Sequence, residues 1–351
     1  MAEPLLLGVD GGNTKTIALL ARADGTVVGA GRAFGCADIH QTQLDDALAV
    51  IRSAVAAALV AAGVAPAPPT TPIGDDSPIC ASAFSLAGAD WPEDLELLAG
   101  RLDHWASGPV VVNDAIGALR AAIPRGPGVV VVCGTGAATG ARGADGQTWH
   151  SSFWQEPQGA RELGEHALRA VLRAELGIDP PTRLTAGVLD ALGAPDVETL
   201  LHRRTRRDRE SNRDAAVLAP LVLDTAEAGD PTAAAIVRGQ GVALGQTAIA
   251  AARRVGVADA PFALALAGGV FRHPGRLMHD MVLDTARAGS PGVHEVRPRL
   301  EPAAGALLLA FDAAGMPVDA AVDTRLHATL PEAALYDTHP ASVTGTDARS
   351  A

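Results

Sequence analysis

Acidic residues follow two of the apolar runs in this chain, at the points where the runs end. Asp10 ends the run "LLLGVD", and Asp114 follows the run "PVVVN". In an open α/β sheet such positions lie at the carboxyl edge, where ligands bind. A carboxylate there can bind Mg²⁺ directly or through water, or accept the proton of an attacking hydroxyl. Asp10 is therefore a candidate metal ligand, and Asp114 is either a general base or a helix N-cap, which Asp also favours.

Two polar turns follow apolar runs of the same kind. Glycine lets the backbone approach a ligand closely, and neighbouring N–H, hydroxyl and ammonium groups can donate to phosphate oxygens. The P-loop pattern GxxxxGK(S/T) is absent and no helix follows the first run, so an ordinary polar hairpin turn is the alternative. Two such turns facing each other across a cleft would hold a phosphate from two directions. The predicted phosphate-binding residues are Gly11, Gly12, Asn13, Thr14, Lys15 and Thr16 in the first turn, and Gly134, Thr135 and Gly136 in the second.

The pattern of the whole chain predicts the α/β class, with strands and helices that position these turns. Residues 5–34 predict three antiparallel strands with a hairpin at Asp24-Gly25, and a similar meander begins at residue 129. Between residues 160 and 255 the apolar pattern is helical. A buried strand from residue 261 ends at Gly268 and Gly269, which would let a flat ring such as adenine lie against the backbone.

Composition excludes several classes of protein. The 351 residues carry a formal net charge of −12, which argues against nucleic acid or an anionic membrane surface as the main partner. No apolar stretch approaches the ~20 residues of a membrane span, and the N-terminus lacks a signal-peptide pattern. The 3 cysteines are far apart, which predicts reduced thiols and a cytoplasmic location. The arginines of residues 201–214 predict a solvated helix end rather than an anionic docking patch.

The motifs "VDGGNTKT", "SLAGADWPED", "NDAIGAL", "CGTG", "LAGGVF" and "EPAAGALLLA" occur in this order. Together they resemble the BadF/BadG/BcrA/BcrD-type ATPase family, which includes N-acetylglucosamine and glucosamine kinases and belongs to the actin–hexokinase–Hsp70 superfamily. The resemblance runs from about residue 5 to 312. It implies two ribonuclease-H-like (actin-like ATPase) domains around a nucleotide cleft, comprising residues 1–117 with 297–325 and residues 118–296. Residues 326–351 are expected to form a flexible tail.

The resemblance also implies an activity, a kinase that uses ATP and Mg²⁺. The acceptor would be a hydroxyl, usually O6, of an amino sugar such as glucosamine or N-acetylglucosamine. Asp10 would bind the Mg²⁺–ATP complex through water, Asp114 would be the catalytic base, and Gly268 and Gly269 would lie near the adenosine. A homodimer is usual for such proteins.

The acceptor side departs from the family pattern. Family kinases carry Gly-Trp-Gly and then Gly-Asp-Glu-Gly-Ser, where this chain has "WHSSFWQEPQGARELGEHAL" at 149–168. Trp149 and Trp154 could stack on a sugar face or simply pack within the loop. The identity of the acceptor therefore stays open. The residues predicted to bind it are Asp38, His40, Asn113, Thr135, Trp154, Glu156 and Gln158.

Two other functions fit the same resemblance. The family contains ATPase activators, dimers that share one iron–sulfur cluster through two cysteines per subunit. Here Cys133 lies within a buried run, and Cys36 and Cys80 show no paired loop. A sugar or nucleotide sensor without turnover is the second alternative, against which the intact Asp10 and Asp114 argue.

Overall fold

Two five-stranded sheets form the framework of the protein. A computed structural model describes residues 3–65, 78–106, 108–207 and 215–336. The strands of the first sheet are β1 (Leu5–Gly11), β2 (Lys15–Arg22), β3 (Val27–Phe34), β4 (Ile79–Leu86) and β5 (Val110–Asn113). Those of the second sheet are β6 (Gly128–Cys133), β7 (Ala137–Arg142), β8 (Thr148–His150), β9 (Phe262–Ala267) and β10 (Val293–Val296).

Helices connect and cover the strands. They are α1 (Leu44–Ala61), α2 (Pro92–Leu102), α3 (Asp114–Ala122), α4 (Ala160–Glu175), α5 (Leu184–Leu192), α6 (Val197–Thr205), α7 (Ala219–Glu227), α8 (Pro231–Arg254), α9 (Leu277–Gly289), α10 (Pro302–Ala313) and α11 (Ala320–Thr329). Short 3₁₀ helices lie at Ser152–Trp154, Ala215–Leu218, Val270–Arg272 and Ala333–Tyr336.

The two sheets have the same topology. The first has the order β3-β2-β1-β4-β5 and the second, read from the corresponding edge, β8-β7-β6-β9-β10. In each sheet the first three strands are an antiparallel meander, and the last two run parallel to the first strand. This repetition explains the duplicated sequence pattern and confirms the predicted α/β class of actin-like ATPase folds.

Burial on both faces explains why the central strands are almost wholly apolar. On β1, Leu5, Leu7 and Val9 pack in the cluster that contains α1, whereas Leu6 packs in the cluster that contains α10. A Cβ on Gly8 would stand 2.2 Å from the Leu307 backbone nitrogen, so α10 crosses β1 at very short range. Asp10 is the exception on this strand, because it is charged and only half-buried. It lies at the carboxyl end of β1, next to the first polar turn.

The segment that follows α10 is ordered, which corrects the predicted tail. We expected residues 326–351 to be flexible, but α11 continues to Thr329 and a 3₁₀ turn follows to Tyr336. Val322, Leu326 and Tyr336 are buried in the cluster on the α10 side of the first sheet. The four-residue spacing from Val322 to Leu326 is the helical signal that the sequence prediction missed. Residues 337–351 lie outside the described residues.

The sequence predicted that no segment spans a membrane and that residues 201–214 form a solvated helix end. Within the described ranges, no helix is both long and apolar enough to cross a bilayer. In the arginine-rich segment, Arg203 donates to the Gly193 carbonyl and Arg204 pairs with Glu165, at the end of α6. Those contacts fit the predicted helix end, and residues 208–214 lie outside the described residues.

Candidate active site

The first turn is a tight connection between β1 and β2. The Gly12 N–H donates to the Lys15 carbonyl over 3.0 Å, and the Ala37 N–H donates to the Gly12 carbonyl over 3.0 Å. A Cβ on Gly11 would stand 2.6 Å from the Leu86 Cδ2 atom, so a larger residue here would require the Leu86 side chain to move. Lys15 already belongs to β2. The turn that could hold a phosphate is therefore built from backbone groups and the side chains of residues 13–15.

Thr16 and Asn13 occupy different environments. Thr16 is fully buried on β2, paired with Gly11, and its hydroxyl has no hydrogen-bond partner among the described residues. The Asn13 side chain reaches towards the second turn, because its Nδ2 atom is 4.0 Å from where a Cβ on Gly136 would stand. Of these two predicted phosphate-binding residues, Asn13 lies at the gap between the turns and Thr16 lies behind the turn.

The second turn faces the first. The Gly134 N–H donates to the Gly136 carbonyl over 2.8 Å, which closes the turn after β6. The hydroxyl oxygens of Thr14 and Thr135 are 3.1 Å apart, although 121 residues separate them in the chain. The structure thus brings together the two glycine- and threonine-rich turns that the sequence singled out.

The first turn of α4 packs directly on the second turn. The Ala160 N–H donates to the Gly134 carbonyl over 2.9 Å, and Arg161 N–H donates to the Thr135 carbonyl over 3.1 Å. Gly159 has φ +122°, and a Cβ there would stand 2.7 Å from the Gly136 Cα atom. The positive end of the α4 dipole therefore lies against this turn, where it favours an anion.

Asp10 lies in a field of like charges. Loss of water by burial, followed by the charge of Asp114, raises the pKa of Asp10 to about 7, while Lys15 opposes the rise and Glu301 adds to it. A divalent cation would relieve this repulsion, and carboxylate oxygens are ligands that Mg²⁺ accepts. Within the described residues, no three His, Cys, Asp or Glu side chains form a ready-made metal cage. The arrangement fits an ion bound by one carboxylate, water and phosphate oxygens.

Asp114 is the first residue of α3, and Asn113 supplies the helix cap. The Asn113 Oδ1 atom accepts from the Ala115 N–H over 3.0 Å, so the capping role that competed for Asp114 falls to its neighbour. Burial, then the charge of Asp90, raises the pKa of Asp114 to about 7, and Asp38 contributes to the rise. A carboxyl group with such a pKa suits a general base near neutral pH.

Asp90 is a functional candidate that our sequence analysis did not select. Its Oδ1 atom accepts from Asn113 Nδ2 over 2.8 Å and from Ser152 Oγ over 2.7 Å. Its Oδ2 atom lies 3.9 Å from His40 Nε2. Asp90 follows β4, so the signal was the same as for Asp10 and Asp114, an acidic residue beyond the end of a buried strand. The buried side chain of Asn113 thus holds Asp90 rather than lying open to an acceptor.

A loop from the second sheet reaches the acids that follow the first sheet. Ser152, with φ +37°, donates to Asp90, and the neighbouring Phe153 meets the His40 ring edge-on with centroids 5.3 Å apart. The Phe153 ring also stacks on Trp91 at 6.2 Å. These contacts join the loop after β8 to Asp90, whose charge acts on Asp114.

Asp38 and His40 are acceptor candidates in the loop that follows β3. Asp38 is buried, and its carboxylate accepts from the His40 N–H over 2.9 Å and from Gln41 Nε2 over 2.9 Å. The His40 Nε2 atom is 3.0 Å from Asp94 Oδ2. Asp38 therefore shapes its loop and contributes negative charge near Asp114.

Three further acceptor candidates, Trp154, Glu156 and Gln158, line a separate pocket along α8. This pocket has a volume of about 400 Å³, and the Arg254 guanidinium lies 5.3 Å from the centre of the Trp154 ring. The buried Gln158 accepts from Gln155 Nε2 over 3.0 Å. None of Asp10, Asp38, Asp90 and Asp114 lines this pocket. Ser152, rather than Trp154, contacts one of these acids, since it donates to Asp90. The lining residues are Trp149, Trp154, Glu156, Gln158, Ala243, Gln246, Thr247, Ala250 and Arg254.

The paired glycines after β9 differ in their surroundings. Gly268 has φ +99°, and a Cβ there would stand 2.4 Å from the Cys133 carbonyl oxygen, so this glycine packs on the start of the second turn. A Cβ on Gly269 would meet nothing within 4 Å, which leaves its backbone open to a ligand. The next turn is tied to α10, because Arg272 donates to Glu301 over 2.5 Å.

Comparisons with known proteins show one family and several similar kinases. The family model described as the BadF/BadG/BcrA/BcrD ATPase family matches residues 7–310. The N-acetyl-D-glucosamine kinase of Dictyostelium discoideum is 25% identical over 324 residues, which cover 89% of this chain and 99% of that protein. The N-acetylmuramic acid/N-acetylglucosamine kinase of Clostridium acetobutylicum is 24% identical over 312 residues, covering 87% and 97%. A solved candidate N-acetylglucosamine kinase from Chromobacterium violaceum superposes with a TM-score of 0.66 at 28% identity, covering 88% of this chain and 99% of that one.

Proposed function

The chain belongs to the BadF/BadG/BcrA/BcrD ATPase family, and we propose that it transfers the γ-phosphoryl group of ATP to a hydroxyl of an amino sugar. The observation that carries this proposal is the contact between Thr14 and Thr135, which joins two glycine-rich turns beside Asp10 and Asp114. The similarity to N-acetylglucosamine kinases over most of the chain supports it.

The two turns would hold the phosphate chain of ATP from opposite sides. Backbone N–H groups of residues 11–14 and 134–136, with the hydroxyls of Thr14 and Thr135, would donate to phosphate oxygens. Gly268 and Gly269 would border the adenosine. Asp10 would hold Mg²⁺ through water, and the bound ion would neutralise charge on the phosphate oxygens.

Asp114 would act on the acceptor. Its carboxylate would take the proton from the sugar hydroxyl as that oxygen attacks the γ-phosphorus, and the bond to the β-phosphate oxygen would break to release ADP. The raised pKa of Asp114 supports this role, since a carboxyl group with a pKa near 7 is about half ionised at neutral pH and its carboxylate is a stronger base than an ordinary one. The phosphorylated hydroxyl would be O6, by resemblance to the family.

The acceptor would lie between the loop at residues 36–41 and the turn at Ser152–Trp154. Asp90, hydrogen-bonded to Ser152, supports this placement, as does the contact between His40 and Phe153. The acidic side chains favour an acceptor with hydroxyl and amine donors, such as glucosamine, over an anionic sugar. N-acetylglucosamine is the alternative acceptor that the relatives suggest.

The domain division is part of the same proposal. Residues 1–117 with 297–325 would form one unit and residues 118–296 the other, and the packing of α11 extends the first unit to residue 336. Closure of the two units over both substrates would exclude water and limit idle ATP hydrolysis. By resemblance to the family the protein would form a homodimer, and its reduced thiols favour a cytoplasmic location.

The cysteines argue against the iron–sulfur alternative. Cys133 is buried, and burial raises the pKa of its thiol to about 12, so it is a poor thiolate ligand. Cys36 is half-buried in the loop after β3, and the exposed Cys80 lies on β4, donating to the Leu5 carbonyl. The two other thiols thus belong to separate elements of the fold.

Coupled ADP release with Mg²⁺–ATP would test the proposal. The sugar panel should contain glucosamine, N-acetylglucosamine, glucose, mannosamine, kanosamine and a sample without sugar. We expect ADP release to rise at least tenfold with one amino sugar over the sugar-free rate. Binding of ATP without any sugar-dependent release would favour the sensor, and a brown, iron-containing protein would favour the activator.

A further inference from the structure

The chain beyond α10 forms a strap, residues 320–336, across the first meander. The Val27 N–H donates to Thr329 Oγ1 over 2.9 Å, and Arg325 donates to the Asp24 carbonyl over 3.3 Å. Arg32 donates to the carbonyls of residues 334 and 335 over 2.9 and 3.2 Å. The strap lies outside the 7–310 family match, so nothing in that match assigns it a role.

The strap ends at the first phosphate turn. Lys15 Nζ donates to the carbonyl of Tyr336, so the strap holds the one cationic side chain of that turn. The Tyr336 side chain is only 6% exposed and packs in the cluster that contains Leu326 and Phe311. The position of Lys15 at the turn therefore depends on a segment more than 300 residues away in the chain.

The Tyr336 hydroxyl is buried and unsatisfied. No other atom of the described residues is its hydrogen-bond partner. Burial, then the charges of Glu301 and Asp10, raises the pKa of this hydroxyl, so it stays protonated and can only donate to an anion. A buried donor without an acceptor costs free energy, and a bound phosphate oxygen would remove that cost.

We propose that Tyr336 is a nucleotide-binding residue, whose hydroxyl donates to a phosphate oxygen of bound ADP or ATP while its carbonyl positions Lys15. This inference rests on the proposed function only in identifying the bound phosphate compound as a nucleotide. The contact between the Tyr336 carbonyl and Lys15, a residue of the first phosphate turn, and the buried, unpartnered hydroxyl carry it together.

Calorimetry of Mg²⁺–ADP binding with two matched variants tests the proposal. Tyr336→Phe and Thr329→Val each remove one hydroxyl from the strap. Only Tyr336→Phe removes the hydroxyl that we propose donates a hydrogen bond to phosphate. We expect the Kd for Mg²⁺–ADP to rise about tenfold in Tyr336→Phe and to stay within about twofold in Thr329→Val. The nucleotide-free Tyr336→Phe protein should melt at the same temperature as the unchanged protein or higher, because its unsatisfied hydroxyl is gone. An unchanged Kd with a lowered melting temperature would mean a structural role and overturn the proposal.

A spectroscopic readout is independent of any catalysis. The chain has a single tyrosine, so labelling with 3-fluorotyrosine gives one ¹⁹F resonance that reports on Tyr336. We expect this resonance to shift with Mg²⁺–ADP and not with the amino sugar alone. A resonance that stays unmoved at saturating ADP would refute the contact. If the protein binds ADP with the predicted dependence on Tyr336 but phosphorylates no sugar, the proposed kinase activity is refuted and this inference is supported. If it binds no nucleotide, both proposals are refuted.

Discussion

Replacing Asp114 with Asn removes the proposed base and keeps the shape of its side chain. The amide cannot take the hydroxyl proton, so sugar-dependent ADP formation should fall by about 10²- to 10⁴-fold. The Kd for Mg²⁺–ATP should change by less than about threefold, because Asp114 lies outside both phosphate turns at the start of α3. Coupled ADP release and calorimetry measure the two quantities separately.

The same substitution should stabilise the nucleotide-free protein at neutral pH. Burial and the charge of Asp90 raise the pKa of Asp114 from 3.8 to about 7. The folded protein then binds this proton more tightly than the unfolded chain does, so the unchanged protein loses stability as the pH rises from about 4 to about 7. At about 1.36 kcal/mol per pKa unit, the difference sets an upper limit of about 4 kcal/mol. Because the side chain is only half-buried, we expect a gain of about 1–3 kcal/mol.

Urea unfolding in EDTA at pH 5, 6, 7 and 8 would measure this gain. The stability of Asp114→Asn minus that of the unchanged protein should grow with pH and level off above about pH 7. Asp284→Asn is the matched control, since Asp284 is exposed on α9 and the charge change is identical. A pH dependence equal to that of the control would refute the electrostatic reasoning. Turnover near that of the unchanged protein would show that Asp114 is not the base.

Further substitutions separate the nucleotide side of the cleft from the acceptor side. Gly268→Ala should destabilise the protein by about 2–4 kcal/mol in thermal unfolding, because φ is +99° and the new Cβ would stand 2.4 Å from a carbonyl oxygen. The control Gly269→Ala should cost less than about 0.5 kcal/mol, because its new Cβ would meet nothing within 4 Å. Asp90→Asn should raise the KM for the sugar about tenfold or more and leave the KM for ATP unchanged in two-substrate kinetics; equal rises in both would contradict its placement. Thr14→Val should do the reverse, raising the KM for ATP about three- to tenfold, and an effect on the sugar alone would refute its role.

The duplicated meander made the fold predictable from the sequence. Each copy has a buried strand, a Gly- and Thr-rich turn and a hairpin, and these local signals are strong because the strands are buried on both faces. The duplication predicted that the two turns face each other, and the contact between Thr14 and Thr135 agrees with that prediction. The strap was missed because polar residues interrupt its apolar residues, and only packing on α10 shows that Val322, Leu326 and Tyr336 are buried.

The acceptor side was harder to predict because it depends on contacts between distant segments. Asp90 and Ser152 meet although 62 residues separate them, and no spacing rule relates them. The sequence placed Trp154 near the acceptor, but the chain reverses at Ser152 and directs Trp154 towards Arg254 on α8. At Asp114, by contrast, a single hydrogen bond assigns the helix cap to the neighbouring Asn113, whose Oδ1 atom accepts from the Ala115 N–H.

Phosphorus-31 NMR of the reaction products tests the central claim most directly. The protein is incubated with Mg²⁺–ATP and the amino sugar that gives the strongest ADP release, with Asp114→Asn as the parallel sample. The account predicts one new sugar phosphomonoester resonance, formed in equal amount to ADP and absent with the variant. Formation of inorganic phosphate in place of the phosphomonoester, or no loss of ATP with any sugar, would contradict it.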